Sequence, residues 1–518
     1  MVARSPLFSV VTPVYDPPTD ALRAMIASVV DQTDPDLELI LVDDRSTRDE
    51  VRETLREAAA QDDRVRVIER AQGGGIVAAS NDAIAAARGE FLALVDHDDL
   101  LVPEALATMR AAIDAHPDVD YLYSDEDKLG ADGELYDRDR KPDWSPERLR
   151  GHMYPGHLSV LRTRVVREVG GFRARCEGSQ DHDLVLRVTE IARRVHHVRS
   201  VLYHWRVVPG SAAGEVGAKP YAWDAGVRAV QDHLERTGVP GEATKGWLTS
   251  TYRVRRSTDP RRLVSVVIAT DGSGGRVWGQ DRVWVTEAVR SLVARAGHPR
   301  IEIVVVHTKG TPAAVLADLK AIGGDRVRAI PAPAGIGHAA MVNHGVLCAR
   351  GSWLVLLDQQ TEVISDDLIV QLVAPLDEDD VGAVGARILQ EDGRLWHAGW
   401  IHRDGTLVPY ARGWRPQEHG PFAALQVARE VTAMSGVACG IRREVFLEAG
   451  GLNENRFGPL SGLDLSLKLR AAGRRLVWQP EATLYRLGPE ATAEPDQWTQ
   501  LDVRWGLDRE DPYLPDDR

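Results

Sequence analysis

Cysteine is nearly missing from this chain. Cys176, Cys348 and Cys439 are the only three in 518 residues. Their wide spacing excludes a disulfide framework and a thiolate metal site, and it fits a reducing compartment. Long apolar runs are missing too: no stretch of about 18 apolar residues occurs, so no membrane-spanning helix is expected. Met1 to Leu7 lack the apolar core of a signal peptide, which points to the cytoplasm. Peripheral attachment at the inner face of the membrane stays compatible with these absences. There is no basic excess: the formal net charge of −14 argues against a nucleic-acid partner.

What is present is a hydrophobic fraction of 43%, ordinary for a globular protein, in a chain too long for one core, so two domains are expected. Phe8–Val14 reads as a strand and Tyr15-Asp16-Pro17-Pro18 as a turn. An amphipathic segment, Ala21–Val30, precedes the strand Leu37–Val42, and a helix over 49–60 precedes the strand Val65–Ile68. A Gly73-Gly74-Gly75 turn then opens the helix Val77–Ala87, which leads to the strand Phe91–Val95. Strands alternating with helices at this spacing predict a largely parallel α/β sheet, whose ligands sit at the carboxyl ends of the strands. Those ends carry Asp43-Asp44 and Asp96-His97-Asp98-Asp99.

The order returns after Arg262. Leu263–Ala269 and Ile301–Val306 match the first two strands, and Ala349-Arg350-Gly351 matches Ala87-Arg88-Gly89. Ala449-Gly450-Gly451-Leu452 matches Val169-Gly170-Gly171-Phe172, and Leu484-Tyr485-Arg486 matches Leu202-Tyr203-His204. A duplicated domain is expected: 1–240 catalytic, 241–262 a linker, 263–490 a second copy, and 491–518 a tail.

Three features of the first copy carry chemistry. Asp44 suits a base imide or a ribose hydroxyl, or else a turn or cap. The carboxylates at 96–99 suit a magnesium or manganese ion shared with a diphosphate, or else a solvated helix entry. Asp181, in Gly178-Ser179-Gln180-Asp181-His182-Asp183-Leu184, suits a general base or an N-cap. His204 could complete a metal sphere or be structural. The second copy has lost most of this set. His307-Thr308 stand for Asp43-Asp44, Asp358-Gln359-Gln360 for Asp96-His97-Asp98, Gly462 for Asp181, and Arg486 is expected at the place of His204. Its tryptophans (Trp353, Trp396, Trp400, Trp414, Trp478) suit a core better than a sugar platform.

Several segments together carry a resemblance. They are Thr12-Pro13-Val14-Tyr15, Val42-Asp43-Asp44-Arg45-Ser46, Gly74-Gly75-Ile76 with Ala79-Ser80-Asn81, Asp96 to Asp99, Tyr123 to Lys128, Lys141 to Pro146, Gly178 to Leu184 and Tyr203-His204-Trp205-Arg206. Through them residues 8 to about 236 resemble the family 2 glycosyltransferases, especially bacterial enzymes of O-antigen and rhamnan-type polysaccharide assembly. The second half resembles them more loosely, through Trp396-His397-Ala398-Gly399 and Ser435 to Cys439. The resemblance implies two tandem GT-A domains of Rossmann-like α/β fold, the second degenerate. It also implies transfer, with inversion, from a nucleotide-diphosphate sugar to a hydroxyl of a cell-surface glycan or lipid-linked acceptor. By motif, Asp181 is the base. Pro13, Tyr15, Asp44, Asn81 and Asp96 bind nucleotide, Asp98 and His204 hold manganese or magnesium, and Asp99, Asp183 and Trp205 line the donor or acceptor pocket. The family often has Glu-Asp where this chain has Gln180-Asp181. Two other readings compete: a non-catalytic nucleotide-sugar or glycan binder, which the intact acidic set opposes, and a sugar nucleotidyltransferase, which would need a Gly-rich, basic N-terminal phosphate loop.

Overall fold

The computed structural model describes residues 5–207, 220–507 and 510–514. In the first half, nine strands form one sheet: β1 (Phe8–Val14), β2 (Leu37–Asp43), β3 (Val65–Glu69), β4 (Phe91–Leu94), β5 (Leu100–Leu101), β6 (Tyr121–Leu129), β7 (Leu135–Asp139), β8 (Ser159–Arg162) and β9 (Val195–Arg206). Their order is β3-β2-β1-β4-β8-β6-β9-β5, with β7 on β6. The first four are parallel, and β8 runs antiparallel to β4 and to β6. Every residue of β2 is buried, as expected of a strand covered on both faces. Helices α1 (Thr19–Val30), α2 (Asp49–Gln61) and α4 (Ala105–Ala115) send Leu22, Met25, Leu55 and Met109 into one core layer. Helix α3 (Gly75–Ala86) covers the other face with α5 (Pro146–Gly151), α6 (Thr163–Glu168), α7 (Gln180–Thr189) and α8 (Pro220–Thr237). Among the described residues no helix is long and apolar enough to cross a membrane.

The second half repeats this topology around a central strand, Val264–Thr270, flanked in parallel by Ile301–His307 and Trp353–Leu357. The repeat extends to single hydrogen bonds. Glu38 lies buried and accepts from Ser9 Oγ (2.7 Å), the Arg88 amide (2.7 Å) and Arg66 (2.9 Å). Glu302 accepts likewise from Ser265 Oγ (2.5 Å), the Arg350 amide (2.5 Å) and Arg328 (2.9 Å). Burial alone would raise the pKa of both carboxyls; these donors outweigh it and hold them below the usual range. Each network needs a glycine, since a Cβ on Gly89 would fall 2.5 Å from the Ser9 nitrogen and one on Gly351 2.6 Å from the Leu263 carbonyl.

The stretch expected as a linker is folded. Gly241–Lys245 and Tyr252–Arg256 form an antiparallel hairpin. Tyr252 is buried among the side chains of α7 and α8, and Arg256 is buried in the junction between the halves. There Glu147 accepts from Arg150 (2.9 Å) and Arg256 (2.7 Å), and both arginines also reach Glu378 of the second half. Glu430 accepts from the Glu147 amide (3.1 Å), Arg475 (2.8 Å) and Ser145. Nor is 491–518 a loose tail throughout. Pro495–Trp505 is a helix with a capping box of Glu494 and Gln497, and its Leu501 joins the cluster of Phe457, Leu460 and Leu463. Asp511 is buried and accepts from the His402 amide (2.9 Å) and Thr432 (2.5 Å), while the Pro512 carbonyl accepts from the Asp143 amide (2.7 Å).

Candidate active site

The candidate residues gather at the carboxyl ends of β1, β2 and β4. Asp44 follows β2 and accepts from the Gly74 (2.9 Å) and Gly75 (2.7 Å) amides at the start of α3, and from Arg70 (2.5 Å). The helix dipole and a guanidinium thus fix this carboxylate at the end of β2. Arg70, which the sequence reading missed, is held in turn by Asp82 (2.7 Å). The Pro13 carbonyl meets His97 Nδ1 at 3.2 Å, and Tyr15 stands 57% exposed just beyond the end of β1.

Beyond β4 the chain delivers four residues in different settings. Asp96 is half-exposed and lies 3.9 Å from His157 Nε2. Burial raises the pKa of Asp98, with His97 opposing and Asp96 adding to the rise. Asp99 is sealed beneath the site, accepting from the Tyr203 hydroxyl (2.5 Å) and the Arg206 amide (2.7 Å); burial and the Asp96 charge push it up to about 7. His157 stacks on Tyr203 with ring centroids 4.6 Å apart. Its amide and Nδ1 face Glu126 Oε2 at 2.8 and 3.3 Å. Burial favours the neutral ring, but Glu126, Asp96 and Asp99 outweigh it and carry His157 up to about 9. Glu126 is itself fixed by Lys141, whose buried ammonium donates to Glu126 (2.9 Å), the Pro155 carbonyl (2.7 Å) and the His157 carbonyl. Against burial, Lys141 and His157 hold Glu126 at about 2. Ligand atoms of Asp96, Asp99 and His157 lie within 4.8 Å of one another. The expected pair Asp98 and His204 is not in that set. His204 lies across from Leu100 on β9, and its Nδ1 is 2.5 Å from Asp127 Oδ1. That leaves Nε2 as the ring's ligand atom, the arrangement in which a carboxylate orients a metal-binding imidazole.

Asp181 is the second residue of α7, open to solvent but ringed by protein. Burial by that ring pushes its pKa up to about 6, the Asp96 charge adds to this, and His157 opposes it. The charges of Asp96 and His157 thus both reach Asp181. The Gln180 amide donates to Asp181 Oδ2 at 2.9 Å. Trp205 is half-buried against the core, its ring 5.5 Å from that of His157.

Other expected site residues are structural. The Asn81 amide is spent on the Phe172 backbone, donating to its carbonyl (3.0 Å) and accepting from its amide (2.8 Å). Asn343 does the same with Leu452 in the second half (2.9 and 3.0 Å). Asp183 is fully buried between Arg173 and Arg187. Asp99, also sealed, shapes the site without lining it. Replacing Asn81 by alanine is therefore expected to cost about 1–3 kcal/mol of stability by stranding two backbone groups. Denaturant unfolding would read that loss, with nucleotide affinity unchanged.

The second half is packed closely at the corresponding place. Gly462, at the place of Asp181, is so close to Gly436 that a Cβ would fall 2.3 Å from its nitrogen. Ser159 faces Leu94 as Cys439 faces Leu356, so Val437 stands where His157 does. Asp358 remains but accepts from the Gln360 amide (2.7 Å). Register corrects one expectation: Asp127 faces His204 as Leu389 faces Tyr485, so Tyr485, not Arg486, replaces His204. An inserted hairpin, Gly274–Val277 with Gln280–Val283, brings Trp278 edge-on to Tyr485 at 5.3 Å.

Residues 9–170 match the family described as Glycosyl transferase family 2, and 260–507 match Glycosyltransferase like family 2. An uncharacterized protein of Sinorhizobium fredii, y4gI, is 41% identical over 93% of this chain and 53% of its own length. The O-antigen biosynthesis protein RfbC of Myxococcus xanthus is 32% identical over 99% of this chain and 40% of its own length. The chain thus spans about half, or less, of these relatives. A structure of S. aureus TarS with UDP-GlcNAc is 21% identical, covering 44% of this chain and 66% of its own, with a TM-score of 0.36.

Proposed function

Since the chain belongs to the family 2 glycosyltransferases, with two GT-A domains in tandem, we propose that its first domain moves a sugar, with inversion, from a nucleotide-diphosphate donor to an acceptor hydroxyl. The observation that carries this is Asp96 lying 3.9 Å from His157 Nε2, with both charges acting on Asp181. Asp181, ionised and at a helix start, takes the proton of the attacking hydroxyl. The acceptor oxygen bonds to the anomeric carbon as the bond to the diphosphate breaks, and one base suffices for this single displacement. Asp44, Arg70 and the Gly73–Gly75 turn orient the nucleotide, Tyr15 borders it, and cationic His157 balances Asp96. Likeness to an O-antigen biosynthesis protein over 99% of the chain supports a cell-surface glycan or a lipid-linked precursor as acceptor.

The donor set suits a hard divalent cation: crowded carboxylates at 96 and 98, and His204 oriented by Asp127. Asp98 and His204 would hold manganese or magnesium, with Asp96 beside them. Bound there, the ion supplies positive charge to offset the departing diphosphate. A panel of sugar nucleotides, with release of nucleoside diphosphate as readout, tests the function directly. A chelator is expected to lower turnover at least about 100-fold, a loss of about 3 kcal/mol in transition-state stabilisation, and added manganese or magnesium should restore it. Full turnover after chelation would contradict the metal assignment.

A further inference from the structure

We propose that Tyr221 is a stacking platform for a sugar ring of the acceptor, the ring next to the one whose hydroxyl Asp181 deprotonates; this rests on Asp181 being the base. Tyr221 is the second residue of α8 and is 54% exposed. A single exposed aromatic is ordinary on a protein surface. This one differs in where it lies, in how it is held and in what replaces it in the second half.

It lies beside the base. A Cβ on Gly178 would fall 2.9 Å from Tyr221 Cε2, so the edge of the ring rests on that backbone. Gly178 leads to Asp181 through Gln180, which accepts from the Gly178 amide (2.7 Å) and donates to Asp181 Oδ2 (2.9 Å). The preceding residue, Glu177, meets the nucleotide turn instead: a Cβ on Gly75 would fall 3.0 Å from its Oε1. One short loop thus touches the nucleotide turn at Glu177, Tyr221 at Gly178 and the base at Gln180. An acceptor whose hydroxyl meets Asp181 has Tyr221 in reach of its neighbouring ring.

The platform is held before any ligand arrives. The Ser179 hydroxyl donates to the Ala222 carbonyl (2.6 Å), and the Trp223 indole donates to the Thr251 carbonyl (2.8 Å) with Lys245 over its ring at 5.2 Å. Gly178 has a φ of 92° and no room for a side chain, so the loop approaches α8 this closely only as glycine. A fixed aromatic loses little freedom on binding. Its apolar face complements the C–H face of a pyranose, while the sugar hydroxyls stay at the wet rim. In the second half Pro495-Asp496-Gln497-Trp498 opens the helix that corresponds to Pro220-Tyr221-Ala222-Trp223. The proline, the tryptophan and the contact with a left-handed glycine are kept: a Cβ on Gly458 would fall 2.8 Å from Gln497 Nε2. The framework therefore needs no ring at this position. The aromatic is lost in the same half that has Gly462 in place of Asp181.

Tyr221→Ala and Tyr221→Phe test this in the full chain. The probes are methyl glycosides, as mono- and disaccharides of glucose, galactose, N-acetylglucosamine and rhamnose. The first readout needs no turnover: saturation-transfer NMR and affinity for each glycoside, with UDP and magnesium present. The parent is expected to saturate the second ring of at least one disaccharide. Tyr221→Ala should lose that transfer and weaken the affinity about three- to tenfold, the scale of one aromatic contact; Tyr221→Phe should keep both. The second readout is turnover with the same glycoside and the sugar nucleotide that the panel selects. There Tyr221→Ala should raise the glycoside KM by about the same factor and move kcat far less, with affinity for UDP unchanged. Parental glycoside affinity in Tyr221→Ala, equal impairment in Tyr221→Phe, or no glycoside bound by the parent would overturn the proposal. Parental turnover by Asp181→Asn would remove the base reading itself, and saturation transfer would still report whether Tyr221 holds a sugar.

Discussion

Asp181→Asn is expected to lower turnover by about 10³-fold, within the range that a positioned base contributes, while leaving nucleotide affinity intact. The asparagine keeps the shape and loses only proton acceptance. The parent's rate should fall as pH drops through about 6, where crowding has placed this carboxyl. The sign follows from the role: the base works ionised, so protonation silences it. Asp99 also titrates high, at about 7, but the Tyr203 hydroxyl and the Arg206 amide occupy its oxygens. It is therefore not expected to set the acid limb. Asp358→Asn, in the second half, should leave turnover unchanged. Parental turnover in Asp181→Asn would refute the assignment.

Glu147→Ala is expected to cost about 3–5 kcal/mol, the usual result of removing one partner from a buried ion pair. Arg150 and Arg256 would keep only Glu378 between them, inside a junction with little access to water. Calorimetry should show a lower midpoint and the two halves unfolding apart; an unchanged trace would mean that the junction does not couple them. Acid should loosen the same junction. Glu378 is held at about 2, against an ordinary 4.5. Its folded pKa is depressed, so its stabilisation is present above about 4.5 and is lost as pH falls from there toward 2.

Much of this was legible in the sequence. Buried parallel strands are continuous apolar runs, so Phe8–Val14 and Leu37–Val42 declared themselves, and the small matches between halves declared the duplication. The acidic residues after β4 and Asp181 were legible because their positions at strand and helix ends follow from the pattern. What was not legible depends on partners distant in sequence. Asn81 and Asp183 sit inside family-like motifs, yet Phe172, Arg173 and Arg187 claim their polar atoms. His157 and Lys141 gave no periodic signal; only the fold brings them to Glu126. The stretch 241–262 has linker composition, but Tyr252 and Arg256 bury themselves. Matching Leu484-Tyr485 to Leu202-Tyr203 put Arg486 on His204. The irregular pairing at Ser124–Glu126 and Ala386–Arg387 takes up the same number of residues in both copies, so the register on both sides of it pairs His204 with Tyr485, and the Leu-Tyr identity is one residue out of step.

The proposed chemistry needs one working site per chain, built in the first half from acidic side chains around a cation. Crystals grown with manganese and a nucleoside diphosphate, with data collected at the manganese absorption edge, test it most directly. One anomalous peak beside Asp98 and His204, with no peak near Asp358, is the predicted result; a peak beside Asp358, or none in the first half, would contradict it.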